Sequence, residues 1–143
     1  MEKKSIPVGI SDFAEIIQNN KYYIDKTDLI QDLLERDHIK VILFTRPRRF
    51  GKTLVMSMLS EFFDIRKDNM ELFEGLNISD NKKLCQKWMN QFPTLFFSFK
   101  DVDGLTFSSA YDMLTMKLAD LFRQHQYLLE SNAVDDGDKA AFT

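Results

Sequence analysis

One stretch, residues 41–59 with the sequence VILFTRPRRFGKTLVMSML, constrains the fold of this chain more than any other. An apolar, β-branched run leads into Gly51-Lys52-Thr53, and a segment with helical apolar periodicity follows. Strand, tight loop and helix is the order in which a phosphate-binding loop is built. The full pattern is G-x-x-x-x-G-K-[ST], and its first glycine is replaced by Arg46. The stretch therefore predicts a phosphate site whose first turn differs from the usual one.

The Gly51-Lys52-Thr53 sequence can supply what nucleotide phosphates need, namely converging backbone N–H groups, a helix N-terminus and a cation. Gly51 lets the main chain approach closely, and Lys52 is placed to reach the β and γ phosphates. The Thr53 hydroxyl is placed to ligate magnesium. We therefore predict a nucleotide site with Lys52 as its catalytic residue and Thr53 as its metal ligand.

A dense basic patch surrounds this loop, formed by Arg46, Arg48, Arg49 and Lys52. Such a patch could contact the γ phosphate, bind nucleic acid, or be a solvated loop. Because the four cations surround a predicted phosphate site, nucleotide contact is the most economical interpretation, with Arg48 and Arg49 as secondary contacts.

Two other groups have open interpretations. Tyr23 precedes a helix and could pack on the base of a nucleotide, but an aromatic residue at such a position also commonly fills a core. Asp101 and Asp103 follow an apolar run and could ligate magnesium, although a polar turn is the favoured interpretation.

Apolar periodicity predicts helices over residues 11–19, 26–37, 52–64, 82–89 and 108–130, with caps at Ser11, Thr27, and Ser108 or Ser109. Apolar runs predict strands at 39–45 and 94–99, the first of them buried on both faces. Strands that alternate with helices indicate an α/β fold with a parallel, three-layer sheet. The end of the chain, residues 131–143, is predicted to be a loop.

Composition restricts the class of protein further. The formal net charge of -3 and 44% hydrophobic content indicate a globular chain without an overall electrostatic signature for nucleic acid. The single Cys85 excludes an internal disulfide, and no apolar run approaches the ~20 residues that span a bilayer. We expect a soluble, cytoplasmic protein without a membrane partner.

Three segments together resemble the bacterial AAA-ATPase-like family: RPRRFGKT, the upstream YYIDKTDLI and the downstream ELFEGL. In that family the loop typically reads R-P-R-R-F-G-K-[ST], so Arg46 is similar to the family's own variant. The resemblance implies a P-loop NTPase-type sheet, incomplete in this chain, and a loop that binds ATP with Mg²⁺. The predicted cofactor-binding residues are Tyr23, Arg48, Arg49, Phe50, Gly51, Lys52, Thr53 and Leu54.

Members of that family are usually longer, with a later strand that ends in acidic residues and often a C-terminal PD-(D/E)XK nuclease-like domain. The resemblance therefore implies that residues 1–143 are the N-terminal part of the ATPase domain. Hydrolysis, and nucleic-acid binding through the further domain, are expected only of a longer protein. The expected order is a helical lead-in (1–38), strand-loop-helix (39–64), connecting helices and second strand (65–100), long helix (108–130) and final loop (131–143).

A second hypothesis assigns the chain to a different class, a non-catalytic interaction or nucleic-acid-associated module with a vestigial nucleotide loop. Arg48 and Arg49 would then carry a salt-dependent contact with DNA or RNA. A parallel sheet that is cut after two strands would also expose an apolar edge, which predicts self-association.

Overall fold

The computed structural model describes residues 4–36 and 40–142. Within these ranges the elements are α1 (Phe13–Gln18), α2 (Asp28–Leu34), α3 (Lys52–Phe63), α4 (Lys82–Trp88), α5 (Phe107–Gln124) and α6 (Asp136–Phe142). Short 3-10 helices lie at Met70–Phe73, Asn77–Asp80 and Gln126–Glu130. The chain divides into two compact units, of which the first ends at Thr94 and the second begins at Leu95.

The predicted α/β fold with a parallel, P-loop NTPase-type sheet is wrong. In the described part of the chain the β-pairing is one isolated parallel bridge between Asp64 and Phe92, and no strand forms. Residues 40–47 are irregular, with Val41 84% and Leu43 82% exposed, while residue 39 lies outside the described residues. An apolar run becomes a buried strand only when neighbouring strands satisfy its N–H and C=O groups. The second predicted strand, 94–99, is also irregular.

The core of the first unit forms where α1 and α3 meet the two 3-10 helices. Phe13 and Phe73 lie with ring centroids 5.1 Å apart, and Phe62 contacts Phe73 edge-on at 5.4 Å. Edge-to-face contacts of this kind add to the free energy that burial supplies. The buried cluster consists of Phe13, Ile30, Met58, Phe62, Leu72, Phe73, Ile78 and Met89.

The helix caps differ from those that the sequence predicted. Asp12 caps α1 rather than Ser11, since its Oδ1 accepts a hydrogen bond from the N–H three residues on at 2.8 Å. Thr27 occupies the N-cap position of α2, but its side chain makes no capping hydrogen bond. Thr106 caps α5 and forms a capping box with Ser109. In all three cases a helix was correctly predicted near its observed start.

A polar cluster closes the C-terminal end of α3. The side-chain amide of Asn90 donates hydrogen bonds to the main-chain carbonyls of Glu61 and Asp64, both at 3.0 Å. The Glu61 carboxylate contacts the side chains of Lys67 and Asn69. These contacts satisfy helix carbonyls and a buried carboxylate that would otherwise lack partners.

The buried Asp64 carboxylate is expected to make the stability of the fold sensitive to acid. Burial raises its pKa, but hydrogen bonds and charge from Arg66, whose Nη2 lies 2.5 Å from Oδ2, lower it more, so the pKa falls below the usual value. The stability contributed is therefore fully present above about pH 4 and is lost as the pH falls through the lower folded-state pKa. We expect Asp64→Asn to cost about 2 kcal/mol at pH 7.

Urea unfolding of the wild type and of Asp64→Asn at pH 7 and pH 2.5 checks this prediction. The difference in unfolding free energy between the two should shrink at pH 2.5, because this pH lies below the usual carboxyl pKa, so the unfolded wild-type chain binds a proton at Asp64 more readily than the folded protein does. An unchanged difference would show that the Asp64 charge does not stabilise the fold.

The second unit is built on α5, and its end differs from the prediction. Residues 131–143 were predicted to be a loop, but α6 occupies Asp136–Phe142. Asp101 lies in a turn with φ 65°, and its carboxylate is 4.0 Å from Lys117 Nζ. No helix in the described ranges is both long and apolar enough to cross a bilayer.

Candidate phosphate-binding site

Gly51 begins the candidate site and is the N-cap of α3, with φ 75° and ψ 21°. This left-handed conformation is open to glycine at little cost, which explains the residue type here. The Gly51 carbonyl accepts the N–H of Val55 at 2.9 Å, and the 12-residue helix begins at Lys52. The first N–H groups of a helix have no intrahelical partner, and the helix dipole adds partial positive charge there. An anion is therefore favoured at this end of α3.

Arg46 replaces the first glycine of the usual pattern without straining the backbone. The left-handed residues of this loop are Arg49, with φ 68°, and Gly51, whereas Arg46 has no positive φ. The ammonium of Lys52 donates a hydrogen bond to the Arg46 carbonyl at 2.6 Å. This contact uses the main chain of residue 46, so it does not depend on the side chain there.

A pocket of about 600 Å³ opens beside this loop. Among the residues that the structure describes, its lining contains three cationic side chains, Lys26, Arg46 and Lys52, and no carboxylate. The remaining lining residues are apolar: Leu29, Ile42, Phe44, Phe50, Val55 and Met56. A few charged groups on an otherwise apolar wall are typical of ligand pockets. This pocket can hold a polyanion that carries an apolar ring.

The predicted site residues divide between the pocket and its surroundings. Lys52 and Phe50 line the pocket, and Gly51 lies between them in the chain. Arg48, Arg49 and Thr53 are exposed and do not belong to its lining. Leu54 is half-buried and packs against the core cluster of the first unit.

Tyr23 does not belong to the lining of this pocket, although its hydroxyl is within hydrogen-bond reach of the backbone N–H of Lys26, a lining residue. Its hydroxyl contacts Met58 Sδ at 3.3 Å, and its ring meets Phe13 edge-on at 5.3 Å. Burial raises the pKa of Tyr23 to about 12. The structure therefore places Tyr23 against the core, outside the lining of the pocket to which Lys52 belongs.

The segment just after Tyr23 is fixed by a network around Asp25. The Asp25 carboxylate accepts the N–H and hydroxyl of Thr27, at 2.8 and 2.7 Å, and the N–H of Asn77 at 2.7 Å. Burial raises the pKa of Asp25, but these hydrogen bonds outweigh it and the pKa is lowered. The fully buried Thr27 hydroxyl also accepts the N–H of Ile78 at 3.1 Å. Two segments about 50 residues apart in the chain are thereby joined.

Lys26 lies between Asp25 and Thr27 in the chain and lines the pocket, but the sequence analysis did not identify it. The loop motif directed attention to residues 46–53, and a single lysine in a helix-leading segment has no periodic signal. Its position between Asp25 and Thr27, two residue types that fix local backbone, was the available indication.

A left-handed glycine at the start of an amphipathic helix, with cations around an apolar pocket, is an arrangement that favours an anion. The family described as "Predicted AAA-ATPase" matches residues 7–141, which is nearly the whole chain. The chain therefore belongs to the AAA-ATPase-like family.

One curated relative is 33% identical over 143 residues, the "Uncharacterized protein in vnfD 5'region" of Azotobacter chroococcum mcd 1. The alignment covers 99% of this chain and 25% of that protein, so the chain spans about a quarter of the relative's length. No solved structure matches the chain significantly.

Proposed function

We propose that this chain binds ATP with Mg²⁺ at the N-terminus of α3, through Gly51, Lys52 and Thr53. The observation that supports the proposal best is the pocket beside Gly51, whose charged lining residues, as far as the structure describes the chain, are cations. Membership of the AAA-ATPase-like family independently favours a nucleotide over other polyanions.

The residues of the loop fit the two ligands. The polyphosphate of ATP carries several negative charges, which Lys52, Arg46 and the helix N-terminus would compensate. Mg²⁺ usually keeps several waters and is held through phosphate oxygens with one or two protein oxygens. The exposed Thr53 hydroxyl, in the first turn of α3, can be such a ligand.

The apolar lining would hold the nucleoside. Phe44 and Phe50 offer aromatic faces, and Ile42 and Met56 complete the apolar wall beside the cations. Stacking of a base on an aromatic ring contributes about 1–3 kcal/mol and tolerates different bases. We propose that Arg48 and Arg49, on the exposed part of the loop, add charge near the phosphates.

We propose ATP hydrolysis only for a longer protein. Lys52 would stabilise charge on the transferred phosphoryl group, and an acidic residue that holds the attacking water remains to be assigned. A cytoplasmic location, self-association, and nucleic-acid binding by a further domain belong to the same proposal.

Calorimetric titration with Mg·ATP, Mg·ADP and AMP tests the proposed function. We expect affinity to fall in that order, by about tenfold or more at each step, because each phosphate removed loses charge-assisted contacts worth roughly 1.5–3 kcal/mol. A titration with a single-stranded oligonucleotide at two salt concentrations serves as the comparison.

Two results would contradict the proposed function. Equal affinities for ATP and AMP would exclude a phosphate-centred site. Steeply salt-dependent oligonucleotide binding without ATP binding, lost in Arg48→Ala with Arg49→Ala, would favour the nucleic-acid-associated module instead.

A further inference from the structure

The ammonium of Lys26 lies directly beside the glycine that opens α3. A methyl group built on Gly51 would be 3.4 Å from Lys26 Nζ, which is ordinary van der Waals contact. Lys26 also lines the same pocket as Arg46 and Lys52. Two lysines from distant parts of the sequence therefore converge on one helix N-terminus.

The backbone of Lys26 is held on both sides. Its neighbours Asp25 and Thr27 are joined by side-chain hydrogen bonds, and both accept an N–H from the segment at Asn77 and Ile78. The Lys26 carbonyl accepts the N–H of Leu29 at 3.1 Å, in the first turn of α2. A fixed backbone restricts where the four-carbon side chain can carry its charge.

No described residue compensates the charge of Lys26. Across residues 4–36 and 40–142, its ammonium makes no ion pair and no side-chain hydrogen bond. Lys26 is an exposed residue, and it lines a pocket in which the other charged residues among those described are two further cations, Arg46 and Lys52. Like charges gathered in a concave site raise its affinity for anions.

We propose that Lys26 is a second phosphate-binding lysine, which contacts the polyphosphate of the nucleotide together with Lys52. The inference rests on the proposed function and extends it to a residue outside the loop motif. It also gives the Asp25–Asn77 contact a role, because that contact holds the backbone from which Lys26 reaches Gly51. The three segments RPRRFGKT, YYIDKTDLI and ELFEGLN would then act as one unit.

Lys26→Met tests the inference, because methionine keeps most of the side-chain length and removes the charge. Lys83→Met is the matched control, since Lys83 is an exposed lysine on α4 and does not line the pocket. Binding of Mg·ATP and of AMP to both variants, to Lys52→Ala and to the wild type would be measured by calorimetry. A urea unfolding midpoint for each variant verifies that it is folded.

We expect Lys26→Met to weaken Mg·ATP binding about tenfold, the loss of one charge-assisted contact, and to change AMP binding much less. Lys26→Arg should restore most of the affinity, and Lys83→Met should remain within about twofold of the wild type.

The possible results separate the inference from the proposed function. If Lys52→Ala loses ATP binding while Lys26→Met keeps it, the inference is overturned and the proposed function stands. If Lys83→Met weakens binding as much as Lys26→Met, the effect is one of net charge and the inference is overturned. If the folded wild type binds no ATP, both are overturned.

Discussion

Replacing Lys52 by alanine is expected to lower the affinity for Mg·ATP by about 100-fold in a calorimetric titration. Lys52 is the first residue of α3, so its charge adds to the partial positive charge that the helix dipole places at the same end of the helix. The loss should exceed that of Lys26→Met, because Lys26 is not part of α3. Lys52 first has to give up its hydrogen bond to the Arg46 carbonyl, which reduces the net gain on binding.

Lys82→Ala is the matched control for this substitution, because Lys82 is the first residue of α4 as Lys52 is of α3. Its replacement should change ATP affinity by no more than about twofold, which is the effect expected from removing a distant, exposed charge. Unchanged ATP binding in Lys52→Ala would contradict the assignment of this lysine to the phosphates.

Phe62→Ala is expected to produce the largest loss of stability, about 3–5 kcal/mol in the free energy of unfolding. Phe62 is 0% exposed and meets Phe63 and Phe73 edge-on, with centroids 5.0 and 5.4 Å away. Its removal leaves a cavity where α3 packs on the 3-10 helix at Met70–Phe73. The total free energy of unfolding of a small domain is only about 5–15 kcal/mol, so this loss brings the first unit near unfolding at 25 °C.

Urea unfolding followed by circular dichroism measures the effect, with Phe50→Ala as the control. Phe50 is 61% exposed, so its replacement should change stability by no more than about 0.5 kcal/mol in the absence of nucleotide. Similar losses in Phe50→Ala and Phe62→Ala would contradict the placement of the core.

The helices were largely predictable from sequence because their signal is local. The start of α3 at Lys52 follows from Gly51 and the apolar stripe after it, and the structure fully buries Met58 and Phe62 from that stripe. The long helix predicted over 108–130 is observed as α5 (Phe107–Gln124) with a 3-10 extension.

The absence of a sheet from the described residues was not predictable, because the sequence of one segment does not determine whether other segments pair with it. Residues 41–45 have the composition of a buried strand, yet the structure leaves Val41 and Leu43 exposed and unpaired within the described residues. Composition records what a segment can bury, whereas a strand also requires neighbouring strands that supply hydrogen bonds.

The candidate site was predictable in its motif and not in its surroundings. Gly51 and Lys52 were identified from residue type and spacing, whereas Lys26 required knowledge of a contact between Asp25 and Asn77, 52 positions apart. Side-chain to backbone contacts at that separation follow no period along the chain, so sequence patterns do not reveal them.

Binding of a nucleotide's phosphates at the N-terminus of α3 can be located by mapping backbone amide chemical shifts during a Mg·ATP titration. We expect the largest shifts at the N–H groups of residues 49–54, with smaller shifts at Lys26 and Phe44. Amide groups at a helix N-terminus respond strongly to a phosphate because they donate to it directly. Saturable shifts that omit residues 49–54 and concentrate elsewhere, or no shifts in a folded sample, would contradict the account.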